Sequence, residues 1–351
     1  MLILHSWPVS PYSAKVRAYL RWKGAAFEDR PPSVLGLRRV AKAVGRMIMP
    51  TIERPDGSWL QDSSEIIDTL EGELDGPSIT PPGPRQRLVD RMLELHGDEW
   101  LPVAALHYRW NVPENDAFAR REFAKYGAPW LPNALGRLVI RPVASQMSGY
   151  LPKLGIDART REGLERFTEA QIARLDAHFA DHPFLLGTRP CIGDFAVYGP
   201  LWAHLFRDPG TTAMFDGAPH VRGWMERLRA PRTEDGEFLP DDEVPATLEP
   251  VLAAMLAEQG AYVEALIGAV NVWCDEHPDA KRIPRSLGDT PFVIGGTTGE
   301  RRLTTEQLWK IQRPLDVATD ESTEWLRTLG RFAWAPRHRV VRRDFKVVLD
   351  R

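Results

Sequence analysis

The 351-residue chain has only two cysteines, Cys191 and Cys274. Two cannot build a disulfide framework, and they suit a reducing compartment. Lysine is also scarce, with 8 against 37 arginines among the 45 basic residues. That skew reads as coding bias rather than as a phosphate-reading surface. With 48 acidic residues and a net charge of −3, the chain lacks the field of a general nucleic-acid binder. It has no run of 18 apolar residues; the greasiest stretch, 248–272, is broken by Glu249, Glu258, Gln259 and Glu264. The start, MLILHSWPVSPYSAK, has no basic lead, so no secretory leader is expected. His178 and His182 have the i, i+4 spacing of a metal pair, but no third ligand is evident and Pro183 follows, so they read as a surface pair. Gly295-Gly296-Thr297-Thr298-Gly299 lacks the lysine and helix of a phosphate loop and reads as a hairpin turn. The expectation is a soluble cytoplasmic protein with no metal, no membrane and no nucleic-acid partner. Its 43% hydrophobic content suffices for a core.

What is present divides into three parts. Over residues 1–77, strand and helix patterns alternate: a strand at 1–5, a helix at 11–23, a poorly marked strand at 26–31 and a short helix at 38–44. A hairpin at 50–53 and 58–61, turning through Pro55-Asp56-Gly57, and a helix at 64–74 complete the unit. Pro81-Pro82-Gly83-Pro84 breaks the chain. Residues 84–231 then read as all-helical, with helices at 85–96, 117–125, 160–180, 194–206 and 219–228. Residues 232–351 form an extension, mostly helical, opening on an acidic stretch at 232–245 and carrying a long helix at 246–276. A hairpin is expected near 292–303, with helices at 304–312 and 322–329. The basic cluster of Arg337, His338, Arg339, Arg342 and Arg343 reads as a solvated face or as a contact for the acidic stretch. The fold class is α+β overall.

The sharpest local feature is Ser10-Pro11-Tyr12-Ser13, between a strand and a helix. Its plain reading is a serine that caps a helix opened by proline. Two other sites share its setting. Met49-Pro50 directly precedes an apolar strand, where proline shapes a turn or a cis bond. Asp62-Ser63 ends a strand and opens a helix, where free N–H groups favour an anion. With VSPYSAKVRAYL, MPTIERPDGSWLQDSSEII and GTRPCIGDFAVYGPLW, the chain resembles the glutathione S-transferase superfamily, serine-type, with a long C-terminal extension. The resemblance implies a thioredoxin-like domain at 1–77 and a glutathione transferase-type helical domain after it. Ser10 stands at the first cysteine position of a Cys-Pro-Tyr-Cys redox motif, and Met49-Pro50 at the cis-proline corner that pairs with the cysteinyl part of glutathione. Asp62-Ser63 matches the acidic-Ser pair that holds the γ-glutamyl carboxylate and amine.

The implied function is attack by glutathione, a co-substrate, on a small apolar electrophile, with Ser10 stabilising the thiolate. Serine cannot form a mixed disulfide, so thiol transfer is not expected. Aryl ether cleavage is a further substrate option, from the SPYS start and the DGSWLQDS strand. The competing class is a non-catalytic binding or scaffold protein. Tyr12, His107, Tyr108 and Trp110 are candidates for the electrophile pocket, with core packing as the alternative for the aromatic run; the resemblance also implies a homodimer. The sequence departs from the family where Pro190-Cys191-Ile192-Gly193-Asp194 puts cysteine in place of a capping Ser or Thr, which predicts a weaker helix cap. Both cysteines are expected to be buried and inert.

Overall fold

The computed structural model describes residues 1–350. The chain opens with β1 (Leu2–His5), α1 (Pro11–Trp22), β2 (Phe27–Asp29), α2 (Val34–Val44), β3 (Thr51–Glu53), β4 (Trp59–Gln61) and α3 (Ser63–Glu71). The sheet order is β2-β1-β3-β4, with β1 parallel to β2 and antiparallel to β3, and β3 antiparallel to β4. Leu4, Val16, Leu20, Ile52 and Ile66 close completely over its faces, each contributing about 1.5–3 kcal/mol. Helix α2 begins four residues before the expected 38–44, because the Ser33 hydroxyl caps it by accepting from Gly36 N at 3.2 Å.

Seven helices follow: α4 (Pro84–Glu99), α5 (Leu101–Asn111), α6 (Pro113–Gly127), α7 (Asn133–Ser148), α8 (Arg161–Asp181), α9 (Ile192–Pro200) and α10 (Pro219–Arg229). The pattern at 194–206 is not one α-helix. Residues 201–206 continue α9 as a π-helix, where Pro200 supplies no N–H to the ladder. The first helical region runs on past 96 as α4 and then α5, and because nearly every side of α5 is buried no amphipathic period marks the break between them. Helix α7 escaped the sequence reading because it contains Pro142. The expected weak cap of α9 is corrected by its own third residue. Asp194 accepts from Cys191 N at 2.9 Å, Cys191 Sγ at 3.3 Å, Leu185 N at 3.1 Å and Trp224 Nε1 at 2.8 Å. Burial pushes the Cys191 thiol up, which keeps it inert as expected.

The extension comprises α11 (Glu249–Glu276), β5 (Ser286–Ile294), β6 (Thr297–Thr304), α12 (Leu308–Val317), α13 (Asp320–Leu329), β7 (Val340–Arg343) and β8 (Lys346–Leu349). By length and composition 246–276 could cross a membrane, but Leu252, Met255, Leu256, Val263, Leu266 and Ile267 are buried inside the protein. The hairpin expected at 292–303 is β5–β6, turning through Gly295 and Gly296 at φ 52° and 75°. Its turn sits on α8 at Gly163, where a Cβ would lie 2.3 Å from Ile294 O.

Several sequence expectations are corrected here. The basic cluster contains a second hairpin, β7–β8, and its arginines do not meet the acidic stretch. Arg337 and His338 pair with Asp275, Arg339 pairs with Asp316, and Arg342 turns inward. The acidic stretch caps a helix instead. Asp242 accepts from Arg85 N at 2.7 Å and Gln86 N at 2.8 Å, at an α4 N-terminus whose own cap residue, Gly83, has no side chain. A Cβ on Gly83 would fall 2.0 Å from Asp242 Oδ1. His178 is buried rather than on the surface, with Nδ1 2.9 Å from Thr247 Oγ1. Replacing Asp242→Ala should lower the unfolding free energy by about 1–2 kcal/mol. Asp242→Asn, which keeps an acceptor and tolerates the positive φ of 56°, should cost less. Denaturant titration of both variants checks this; equal stability of wild type and Asp242→Ala would refute the remote cap.

Candidate active site

Sheet register brings the three N-terminal motifs to one end of the sheet. His5 pairs with Thr51 and Thr51 with Gln61. The loop leaving β1 toward Ser10, the Met49–Pro50 peptide entering β3 and Asp62 leaving β4 therefore share that edge. The Met49–Pro50 bond is cis. Ser10 is the N-cap of α1, with φ −91° and ψ 124°, Pro11 behind it and no acidic side chain in the first turn. Its Oγ accepts from Ser13 N at 3.2 Å, and among the described residues its own proton has no acceptor. The Ser13 hydroxyl is buried without a partner.

The aromatic candidates separate. Tyr12 donates to Asp98 O at 2.9 Å, and burial holds its phenol well above the usual range. His107 lies 3.5 Å from Glu165, and its ring packs edge-on to Tyr108 with centroids 5.0 Å apart, so both face α8. Trp110 packs on Phe123, which packs on Trp7. The α5 side chain that reaches the Ser10 loop is Arg109, which the sequence reading missed. It donates to Val9 O at 2.7 Å and grips Asp208 through Nε at 2.7 Å and Nη2 at 2.6 Å. This clamp fixes the approach of the loop to α1.

At the other end of the site lies a buried ionic cluster with no counterpart in the sequence reading. Asp62, at φ 81°, caps α3 by accepting from Ser64 N at 2.9 Å. The same oxygen accepts from Lys310 Nζ, on α12, at 3.0 Å. Lys310 also donates to Asp98 at 2.9 Å and to Ser64 Oγ. Lys15, on α1, donates to Glu94 at 3.0 Å, Asp98 at 2.8 Å and Ser64 Oγ at 3.1 Å. Arg313 bonds Glu94 at 3.0 Å and Asp68 at 2.6 Å. Arg342, from β7, bonds Glu65 at 2.7 Å and Gln61 Oε1 at 2.5 Å, and lies 3.6 Å from Asp62. Ser63 is a buried residue whose hydroxyl enters no hydrogen bond among the described residues.

No local signal in the sequence pointed this way: of the eight lysines Lys15, Lys23 and Lys310 are buried and the other five are exposed. His178 and His182 stack without a third ligand, and among the described residues no group of three metal-ligating side chains forms.

The cluster sets charges. Burial alone would push the Asp62 carboxyl up, but Lys310 and Arg342 outweigh it and hold it at about 2. Glu94 likewise sits well below the carboxylate range, with Arg313 and Lys15 overcoming its burial. Glu99, whose burial is reinforced by neighbouring Asp98, is raised to about 7 while accepting from Gln307 Nε2 at 2.6 Å. An aspartate unfolds to a pKa of about 3.9, so the stabilisation from Asp62 is complete above that pH and is lost as pH falls toward 2. The unfolding free energy should therefore drop between pH 4 and pH 2, and Asp62→Asn should flatten that drop. A variant with the wild-type acid profile would exclude the Asp62–Lys310 pair as its source.

The glutathione S-transferase N-terminal domain model matches residues 4–78, and the corresponding C-terminal domain model matches residues 158–227. No curated protein matches the chain. Among solved structures, the beta-etherase LigF from Sphingobium sp. strain SYK-6 is 20% identical, with 65% of this chain and 95% of that one covered and a TM-score of 0.49. Glutathione transferase GSTFuA3 from Phanerochaete chrysosporium is 19% identical, with 67% and 98% covered and a TM-score of 0.47. A glutathione S-transferase from Methylobacterium radiotolerans JCM 2831, solved with glutathione sulfonate, is 24% identical, with 65% and 90% covered and a TM-score of 0.40. The four-stranded sheet lies in the match to the N-terminal model and helices α8 to α10 lie largely in the match to the C-terminal model, so these two parts of the chain are similar to glutathione S-transferase domains.

Proposed function

We propose that this protein is a glutathione transferase in which the Ser10 hydroxyl donates to the glutathione sulfur and holds it as the thiolate. The observation that carries this reading is the uncommitted Ser10 proton at the N-terminus of a helix with no acidic residue in its first turn. A thiol titrates near 8.5, so only a few per cent is nucleophilic at pH 7. Lowering that pKa by about two units takes roughly 2.7 kcal/mol. A charge-assisted hydrogen bond supplies about 1.5–3 kcal/mol and the helix dipole about 0.3–1. The two together suffice.

In this reading the Met49 backbone, held by the cis bond to Pro50, aligns the cysteinyl part, while Asp62 and Ser63 receive the γ-glutamyl end. The thiol proton leaves to solvent, the thiolate forms a carbon–sulfur bond with a small apolar electrophile, and the displaced group departs. Aryl ethers are a further substrate option. Tyr12, the second residue of α1 with its hydroxyl bonded to Asp98 O, remains the aromatic candidate for the electrophile pocket. His107, Tyr108 and Trp110 are committed to α8 and α6. A non-catalytic binding or scaffold role is the second reading, favoured by the two extension cations already at Asp62.

Ser10→Ala should lower kcat/KM with glutathione and 1-chloro-2,4-dinitrobenzene by about 10- to 100-fold, at about 1.4 kcal/mol per tenfold, with retention on immobilised glutathione preserved. A fully active Ser10→Ala enzyme would remove Ser10 from the mechanism, and wild-type binding without turnover would favour the scaffold reading. A homodimer is part of the proposal. Sedimentation should give twice the 39.7 kDa chain mass, and a monomeric mass would contradict it.

A further inference from the structure

Residue Asp62 is built to receive a cation. It projects from a strand end, its φ of 81° fixes it over the start of α3, and its carboxylate stays ionised well below neutral pH. In the reading above, that cation is the ligand's own ammonium group. In this chain the place is already taken. Lys310 Nζ lies 3.0 Å from Asp62 Oδ1 and 2.9 Å from Asp98 Oδ2, and it bonds Ser64 Oγ. Those oxygens complete the three-donor capacity of an ammonium.

Lys310 is not a mobile surface side chain caught in passing. It is buried, its ammonium lies 5.0 Å from the centre of the Trp309 ring, and α12 is pinned to α3 and α4 by Arg313 through Asp68 and Glu94. Arg342 adds a second extension cation 3.6 Å from the other Asp62 oxygen. One carboxylate therefore faces two internal cations, and a third brought by a ligand would meet like charge in a partly buried site. The hydroxyl of Ser63, at the first position of α3 and without a partner among the described residues, stays available for an anionic oxygen.

We infer that Lys310 permanently replaces the ligand's ammonium at Asp62, so that the site selects a thiol whose acyl end carries a carboxylate and no amino group. Lys310 is thus a specificity-determining residue supplied by the extension. The inference rests on the glutathione reading of the site but reverses the preference that reading alone would give, since glutathione carries the ammonium.

The test compares two probes on the full-length protein by calorimetry: glutathione, and glutaryl-cysteinyl-glycine, which differs only in lacking that amino group. The wild-type protein should bind the deaminated tripeptide at least tenfold more tightly. In Lys310→Gln, which vacates the Asp62 oxygen, the order should reverse. Wild-type protein that binds glutathione as tightly as the analogue, or more tightly, overturns the assignment of Lys310 and leaves the glutathione reading intact. Binding of neither tripeptide sinks the glutathione reading and the assignment with it. The wild-type comparison stands alone should Lys310→Gln fail to fold.

Discussion

A single ammonium group, Lys310 Nζ, ties together three parts of the chain. It comes from the extension, and it is bonded to Asp62 and Ser64 at the start of α3 and to Asp98 on α4. Removing a charge from water carries a cost of several kcal/mol, recovered only when every donor finds an oxygen. Lys310 meets that condition, and Lys15 does the same from the opposite side with Glu94, Asp98 and Ser64. Around them Arg91, Arg313 and Arg342 face Asp68, Glu94, Glu65 and Asp62. Positive and negative groups alternate through the cluster. Losing one partner of such a network leaves a buried charge unmet, at about 3–5 kcal/mol. The thioredoxin-like unit, the helical domain and the extension are therefore held in one arrangement by electrostatics as well as by apolar packing.

This arrangement separates two tasks. In the proposed function chemistry at sulfur falls to Ser10, whose position follows from the N-cap geometry of α1 and from the Arg109–Asp208 clamp on its loop. The same proposal assigns charge recognition to the α3 N-terminus, where Asp62 faces Lys310 and Arg342 of the extension. The strand register His5–Thr51–Gln61 links the two, because each strand end at that edge launches one of the motifs.

Much of the N-terminal unit was readable in the sequence because each element carries its own punctuation. Ser10-Pro11 opens α1, Asp56-Gly57 turns the hairpin and Asp62 opens α3. The β5–β6 hairpin was legible for the same reason, through Gly295-Gly296. The break between α4 and α5 was hidden by burial of α5 on nearly all sides, and helix α7 by an internal proline. The β7–β8 hairpin turns through Asp344 and Phe345 rather than glycine, so only its arginines were noticed. The ionic cluster was illegible for a deeper reason. Its members include 15, 62, 64, 65, 68, 94, 98, 310, 313 and 342 in the chain, and no local pattern announces contacts at such separations.

The most direct test of the account is the ionisation of bound glutathione, read from thiolate absorbance near 240 nm as pH is varied on the wild-type complex. The account predicts a midpoint about two units below that of the free thiol. An unshifted midpoint on a demonstrably occupied site would contradict it, because a hydroxyl donated to the sulfur at a helix N-terminus cannot leave the thiolate unstabilised.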